Sequence, residues 1–182
     1  GRGIAQVAAL AGHPVMLYDV AENHTHDAIE FIRQRLEYSF QKGKITENNK
    51  LQVIKNIKPV HELDEIHKAK LIVEAVIEDL EIKQALLCRV ESVLGEESIL
   101  STNTSSLDLD KIGTKLKRPE RFVGIHFFNP APVMALVEII HTAKTDPSVT
   151  KFISKLVKKW GKIPVQVRNS PGFIVNRAAR PF

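Results

Sequence analysis

The stretch LIVEAVIEDLEIKQALLCRVESVLGEESILST, Leu71 to Thr102, decides the fold class. Leu71 to Val76 is apolar almost throughout, as strands covered on both faces tend to be. Ile82, Leu86, Val90 and Val93 then recur at helical spacing up to Gly95, and a second β-prone run, Ser98 to Thr102, follows. Strand, helix and strand in so short a span predict a crossover unit, and therefore parallel strands.

The same alternation extends in both directions. Toward the N-terminus, Gly3 to Ala11 reads as a small-residue helix packed closely on a neighbour, and Pro14 to Asp19 as a short buried strand. Asn23 to Gln41 is predicted helical, with Ile29, Ile32, Leu36 and Phe40 on one stripe and Gly43 ending it; a shorter helix over Thr46 to Ile57 follows. Toward the C-terminus, Asp146 and Pro147 form an N-cap and first helical position, before a face of Val149, Phe152, Ile153, Leu156, Val157 and Trp160 that Gly161 stops. Pro164 to Arg168 is a further strand, and the segment from Ser170 onward is read as a loop feeding a helix. The expectation is an α/β fold, a doubly wound, mostly parallel sheet with helices on both faces.

Composition narrows the function classes. At 182 residues the chain can bury one sizeable core, and 43% hydrophobic with 26% charged residues is the balance of an ordinary soluble globular protein. No apolar run approaches a bilayer span, so no membrane partner is expected. The net charge of +5 is spread over scattered lysines with no interleaved aromatics, which argues against nucleic acid and suits a small polyanion. Cys88 stands alone, which excludes a disulfide framework and a cysteine metal cluster and fits a reducing compartment; it is read as a packed apolar residue. His24 and His26 lie two apart with no third ligand in view, so no metal site is expected and both are read as solvated.

Two places carry candidate chemistry. Gly1 and Gly3 open the first helix and Asp19 ends the next strand, the arrangement left if a glycine-rich dinucleotide loop had lost its front half. Two readings stand level on these residues. Helix N–H groups and bare glycines could receive a pyrophosphate while Asp19 binds a ribose, or the glycines only permit tight packing and Asp19 caps the next helix. Val20, rather than arginine, after Asp19 favours NAD over NADP. The second place is Val123 to Phe128 and Ala135 to His141, two β-prone runs joined by NPAPVM, in which two prolines forbid a continuing strand. A reversal centred on Pro132 sets positions summing to 264 opposite one another, and His126 faces Glu138. Directly opposed residues have Cβ atoms about 5 Å apart, so a carboxylate could fix the imidazole tautomer and stabilise its protonated form. A histidine in an apolar strand is equally well a satisfied core residue.

Three motifs in order, STNTSSL at Ser101 to Leu107, GIHFFNPAPVMALVEII from Gly124 and PGFIVNR at Pro171 to Arg177, resemble the L-3-hydroxyacyl-CoA dehydrogenases, and within them the bacterial 3-hydroxybutyryl-CoA or phenylacetate-pathway type. The resemblance implies a Rossmann-like NAD-binding domain over residues 1–169, with 170–182 a linker and the start of a helical C-terminal domain. It implies that Gly1 matches only the third glycine of the family's loop, that the first strand and two glycines are missing, and that the chain is a fragment unable to turn over alone. It casts His126 as the base for the substrate 3-hydroxyl and Glu138 as its partner. Ser105 and Asn176 match residues that hydrogen-bond the reacting oxygen, and Asn129 an active-site asparagine beside them. Asp19, Glu78, Lys83 and Asn103 match cofactor contacts, although Glu78 and Lys83 read without the family as a helix-start carboxylate and a solvated lysine. Lys42 matches, less closely, a lysine that meets CoA. Ala135 stands where the family usually has lysine. The implied partners are an acyl-CoA substrate and a second copy, joined through the C-terminal domain, in a cytoplasmic setting or, in a eukaryote, the mitochondrial matrix. Two other readings remain: a dehydrogenase of free hydroxy or sugar acids, and a non-catalytic, crystallin-like NAD-binding protein, against which the intact His126, Glu138, Ser105 and Asn176 argue.

Overall fold

The computed structural model describes residues 1–170 and 172–174, which fall into two compact units. The first comprises Gly1–Ile66 with Asn129–Val133. It contains α1 (Arg2–Leu10), β1 (Val15–Leu17), α2 (Glu22–Gln41), α3 (Glu47–Asn56) and β2 (Ile57–Pro59). Its core gathers Ala5, Ala9, Ile32, Leu36, Val53 and Ile57, so the alanines of α1 do bring that helix close to its neighbours. Phe40, expected on the same stripe of α2, is half exposed at 36%. Gly43 ends that helix at φ +67°, a conformation that glycine adopts without a Cβ clash.

The helix expected over Thr46 to Ile57 forms, capped by Thr46 Oγ1 accepting from Asn49 N at 3.2 Å, but it stops one residue early. Ile57 to Pro59 instead forms a strand that pairs in parallel with Val15 to Leu17. Pro59 disfavours helical backbone at Lys58, and the buried, β-branched Ile57 gains more from the core than from one further helical turn.

The second unit comprises His67–Phe128 and Met134–Phe182. Its described elements are β3 (Leu71–Glu74), α4 (Leu80–Val93), β4 (Ile99–Thr102), α5 (Leu109–Ile112), β5 (Phe122–Phe127), β6 (Leu136–His141), α6 (Pro147–Lys159) and β7 (Ile163–Arg168). The five strands form one sheet in chain order, every pairing parallel except β5 with β6. The mostly parallel sheet is thus as expected, with one hairpin-like reversal inside it. Val123, Ile125, Val137 and Ile139 are fully buried in the sheet, and Val149, Ile153 and Val157 bury one face of α6. Each contributes about 1.5–3 kcal/mol of transfer free energy. Asp146 caps α6 by accepting from Ser148 N at 2.7 Å, and Gly161 ends it at φ +74°. Phe152, assigned to the inner face, is 49% exposed.

The face of α4 is a larger correction. The apolar spacing pointed to Ile82, Leu86, Val90 and Val93, yet Ile82 is 44% exposed and the buried residues are Lys83, Gln84, Leu87, Val90 and Glu91. The inner face is turned by about one residue because polar groups on it find internal partners. Gln84 donates to the Lys111 carbonyl at 2.7 Å, and Glu91 accepts the backbone N–H groups of Lys117 and Arg118, each at 2.9 Å. Hydrophobic periodicity cannot register a face built from satisfied polar residues. Among the described residues no helix is long and apolar enough to cross a membrane.

Candidate active site

The antiparallel register is Gly124↔Ile140, Ile125↔Ile139, His126↔Glu138 and Phe127↔Val137, the pairing expected of a reversal centred on Pro132. It places His126 Nδ1 2.8 Å from Glu138 Oε2, with the residues 6% and 1% exposed. A carboxylate can only accept, so the imidazole donates through Nδ1–H and keeps its lone pair on Nε2. The other carboxylate oxygen, Oε1, accepts from Ile174 N at 2.9 Å, which fixes Glu138 from both sides. The rings of Phe128 and Phe173, with centroids 4.5 and 5.8 Å from that of His126, wall the imidazole and limit its access to water. Such an arrangement can take a proton from a neutral hydroxyl and hold the resulting charge against a fixed anion.

Gly124, beneath the histidine, is required by space. A Cβ there would lie 2.9 Å from Leu109 Cδ2 and 3.0 Å from Ile140 Cβ. The bare Cα is what lets α5 approach the strand that carries His126.

At the ends of the neighbouring strands, Asn103 Oδ1 accepts from Phe127 N at 2.9 Å, one residue beyond the histidine. Glu78 Oε1 gathers donors from the loop after β4: Thr104 Oγ1 at 2.5 Å, Ser105 N at 2.9 Å, Ser105 Oγ at 3.3 Å, and Ser106 N and Oγ at 3.1 Å each. Burial pushes the Glu78 carboxyl up, but the Thr104 hydroxyl, the Ser105 N–H, the Lys83 charge and the Ser106 hydroxyl together outweigh it and hold the group at about 2. Glu78 is therefore ionised at any ordinary pH. The reading of Lys83 as solvated is overturned: it is 1% exposed, and its ammonium donates to Glu74 Oε1 at 2.7 Å and to the Val76 carbonyl at 3.3 Å, and lies 3.4 Å from Glu78 Oε2.

The remaining candidates lie in the first unit. Gly1 caps α1 through its carbonyl, and the N–H groups of Arg2 and Gly3 have no acceptor within the helix. Gly3 also serves packing, since a Cβ there would lie 3.3 Å from both Ala131 Cβ and Pro132 Cδ. Asp19 is not the N-cap of α2, which is Ala21; its Oδ1 accepts from Ala21 N at 3.0 Å and pairs with His24 Nδ1 at 3.1 Å, and its side chain is 39% exposed. Helix N–H groups with no acceptor within the helix, and a partly exposed carboxylate after β1, suit a pyrophosphate and a ribose diol, so the residues present fit a dinucleotide. Lys42 is exposed, with its ammonium 5.7 Å from the Tyr38 ring centroid, and Asn129 is exposed at the start of its segment. Asn176 lies outside the described residues. Among the described residues no three histidine, cysteine, aspartate or glutamate side chains cluster as metal ligands.

A family model described as 3-hydroxyacyl-CoA dehydrogenase, NAD binding domain, matches residues 1–170. The chain belongs to that family. The cofactor of this domain is NAD. Across all 182 residues it is 42% identical to 3-hydroxyadipyl-CoA dehydrogenase of Escherichia coli K12, of which it covers 38%, and 36% identical to the fatty acid oxidation complex subunit alpha of Pseudomonas syringae, of which it covers 25%. Among solved structures it resembles 3-hydroxybutyryl-CoA dehydrogenase from E. coli K12, with a TM-score of 0.97 at 42% identity over 100% of this chain and 38% of that one. It also resembles (S)-3-hydroxybutyryl-CoA dehydrogenase from Ralstonia eutropha, with a TM-score of 0.96 at 35% identity over 98% of this chain and 63% of that one. The chain thus spans less than two thirds of each of these relatives.

Two parts of the site escaped sequence reading. Glu74 was passed over inside an apolar strand, and Thr104 within the serine-rich loop. The signal for Glu74 was available, because a lone carboxylate in a run such as LIVEAV must find a buried partner.

Proposed function

We propose that this domain serves the NAD-dependent oxidation of an L-3-hydroxyacyl-CoA to the 3-oxoacyl-CoA, with His126 as general base. The observation that carries the reading is the buried 2.8 Å contact between His126 Nδ1 and Glu138 Oε2, which leaves Nε2 without a partner among the described residues. Nε2 takes the proton of the substrate 3-hydroxyl, and Glu138 offsets the positive charge that then resides on the ring. When bound, NAD supplies the acceptor for the hydride that leaves C3. Gly1, Gly3 and Asp19 hold its phosphate and ribose groups, and Glu78 and Asn103 complete the set. Ser105, Asn176 and Asn129 take the roles of hydrogen-bond partners to the reacting oxygen, Lys42 that of a contact to the CoA moiety, and a bacterial cytoplasmic setting accords with the relatives above.

In the full-length protein, His126→Gln is expected to lower turnover about 10²- to 10⁴-fold while NADH titration gives an unchanged affinity. An unaltered turnover number would remove His126 from the chemistry. Equal rates with free 3-hydroxy acids and with their CoA thioesters would move the reading to the free-acid dehydrogenases.

A further inference from the structure

The buried charges at the β3–α4 junction have no part in the chemistry above, and their geometry assigns them one. Glu74 ends β3 and is 4% exposed. Its Oε1 accepts from Lys83 Nζ and from Val76 N, both at 2.7 Å, and its Oε2 accepts from Thr102 Oγ1 at 2.6 Å. Thr102 is its partner in the parallel register, so the two side chains meet across neighbouring strands. The network continues on both sides. Thr102 Oγ1 also accepts from Thr104 N at 3.2 Å, and the Lys83 ammonium extends to Glu78, whose other oxygen gathers Thr104, Ser105 and Ser106.

We propose that Glu74 and Lys83 are positioning residues: their buried ion pair locks Glu78, and through it the Thr104–Ser106 loop that presents Ser105 to the substrate oxygen. The proposal rests on the reading of Ser105 given above. The Lys83 ammonium is held by Glu74, the Val76 carbonyl and Glu78, so Glu74 helps to set where it stands beside Glu78. A buried network with its donors and acceptors matched holds one geometry, which is what a loop delivering a hydroxyl to a fraction of an ångström requires.

The test is a double-mutant cycle on kcat in the full-length protein with NAD and acyl-CoA substrate. Glu74→Gln combined with Lys83→Met removes both charges together, because removing one alone would strand the other in the core. Ser105→Ala is the second arm. We expect Ser105→Ala to lower kcat about 10²-fold and the paired variant to lower it about 10- to 10²-fold. The triple variant should be little worse than Ser105→Ala alone, because displacing a loop that no longer carries its hydroxyl costs nothing more. Multiplicative losses, or an unchanged kcat in the paired variant, would overturn the proposal. If the paired variant does not fold, Thr102→Val, which removes a donor to Glu74, replaces it in the same cycle, and full additivity there is equally fatal. A Ser105→Ala protein with normal kcat, beside a dead His126→Gln, would sink both this proposal and the role of Ser105 while leaving the histidine in place.

Discussion

Two buried ion pairs in the second unit look alike on distance and differ in what they leave over. His126 and Glu138 meet at 2.8 Å, Lys83 and Glu74 at 2.7 Å, and all four residues are at least nine-tenths buried. The lysine pair is closed, with the ammonium engaged by two carboxylates and a carbonyl, and Glu74 by three donors. The histidine pair is open at one end, because Glu138 fixes Nδ1 and nothing among the described residues takes Nε2. A closed pair can only hold shape; an open one can exchange a proton. Burial and proximity alone therefore do not identify a catalytic pair, whereas the unspent valence does.

Breaking each pair should separate activity from stability. Glu138→Gln is expected to cost turnover on the order of 10³- to 10⁴-fold, because an amide can donate to Nδ1 and drive the proton onto Nε2, the wrong tautomer for a base. Its effect on unfolding should be small, since the amide carbonyl can still accept from Ile174 N. Steady-state kinetics beside thermal unfolding check this, and a destabilised protein with normal kcat would erase the contrast. Lys83→Met should do the reverse first. It leaves the Glu74 carboxylate buried without its cation, a loss of about 3–5 kcal/mol in urea unfolding. Unchanged stability would mean that Lys83 is not needed to neutralise the core. Smaller again, Thr102→Val keeps the shape and removes the 2.6 Å bond to Glu74, a cost of about 1.5–3 kcal/mol by the same measurement.

The open pair was legible in the sequence and the closed one was not, for a physical reason. His126 and Glu138 face each other across a single reversal, so turn residues and a period of two suffice to place them. Lys83 reaches Glu74 from the first turn of a following helix, and Glu74 reaches Thr102 on a strand 28 residues on, so the contact depends on how α4 is rotated. Apolar spacing gave that rotation wrongly, because Lys83, Gln84 and Glu91 on the inner face do not look like core. At the phosphate end the strand β1 and the helix starts were readable. The short β2 was not, since Ile57 to Pro59 becomes a strand only by pairing with Val15 to Leu17. Gly3 showed how little a glycine says by itself: its helix N–H suits an anion, and its missing Cβ admits Ala131 and Pro132.

The smallest effect lies where the closed pair passes its constraint to the loop. Burial raises the affinity of Glu78 for a proton, but Thr104, the Ser105 N–H, Lys83 and Ser106 more than offset it and hold the carboxyl at about 2 instead of the ordinary 4.5. The unfolded chain therefore binds the proton first as pH falls, so the stabilisation that Glu78 gives the loop is fully present above about 4.5 and is lost as pH drops toward 2. A carboxyl-carbon NMR titration of Glu78 should show its midpoint near the lower value, and a midpoint near 4.5 would mean that the loop does not grip the carboxylate in solution. Repeating the titration with Glu74→Gln and Lys83→Met together sharpens the comparison. Loss of the ammonium should move the midpoint upward, while the Thr104 and Ser105 donors keep it below the ordinary value. A midpoint indifferent to the pair would uncouple the buried charges from the loop, and would leave the closed pair no part beyond holding β3, α4 and β4 together.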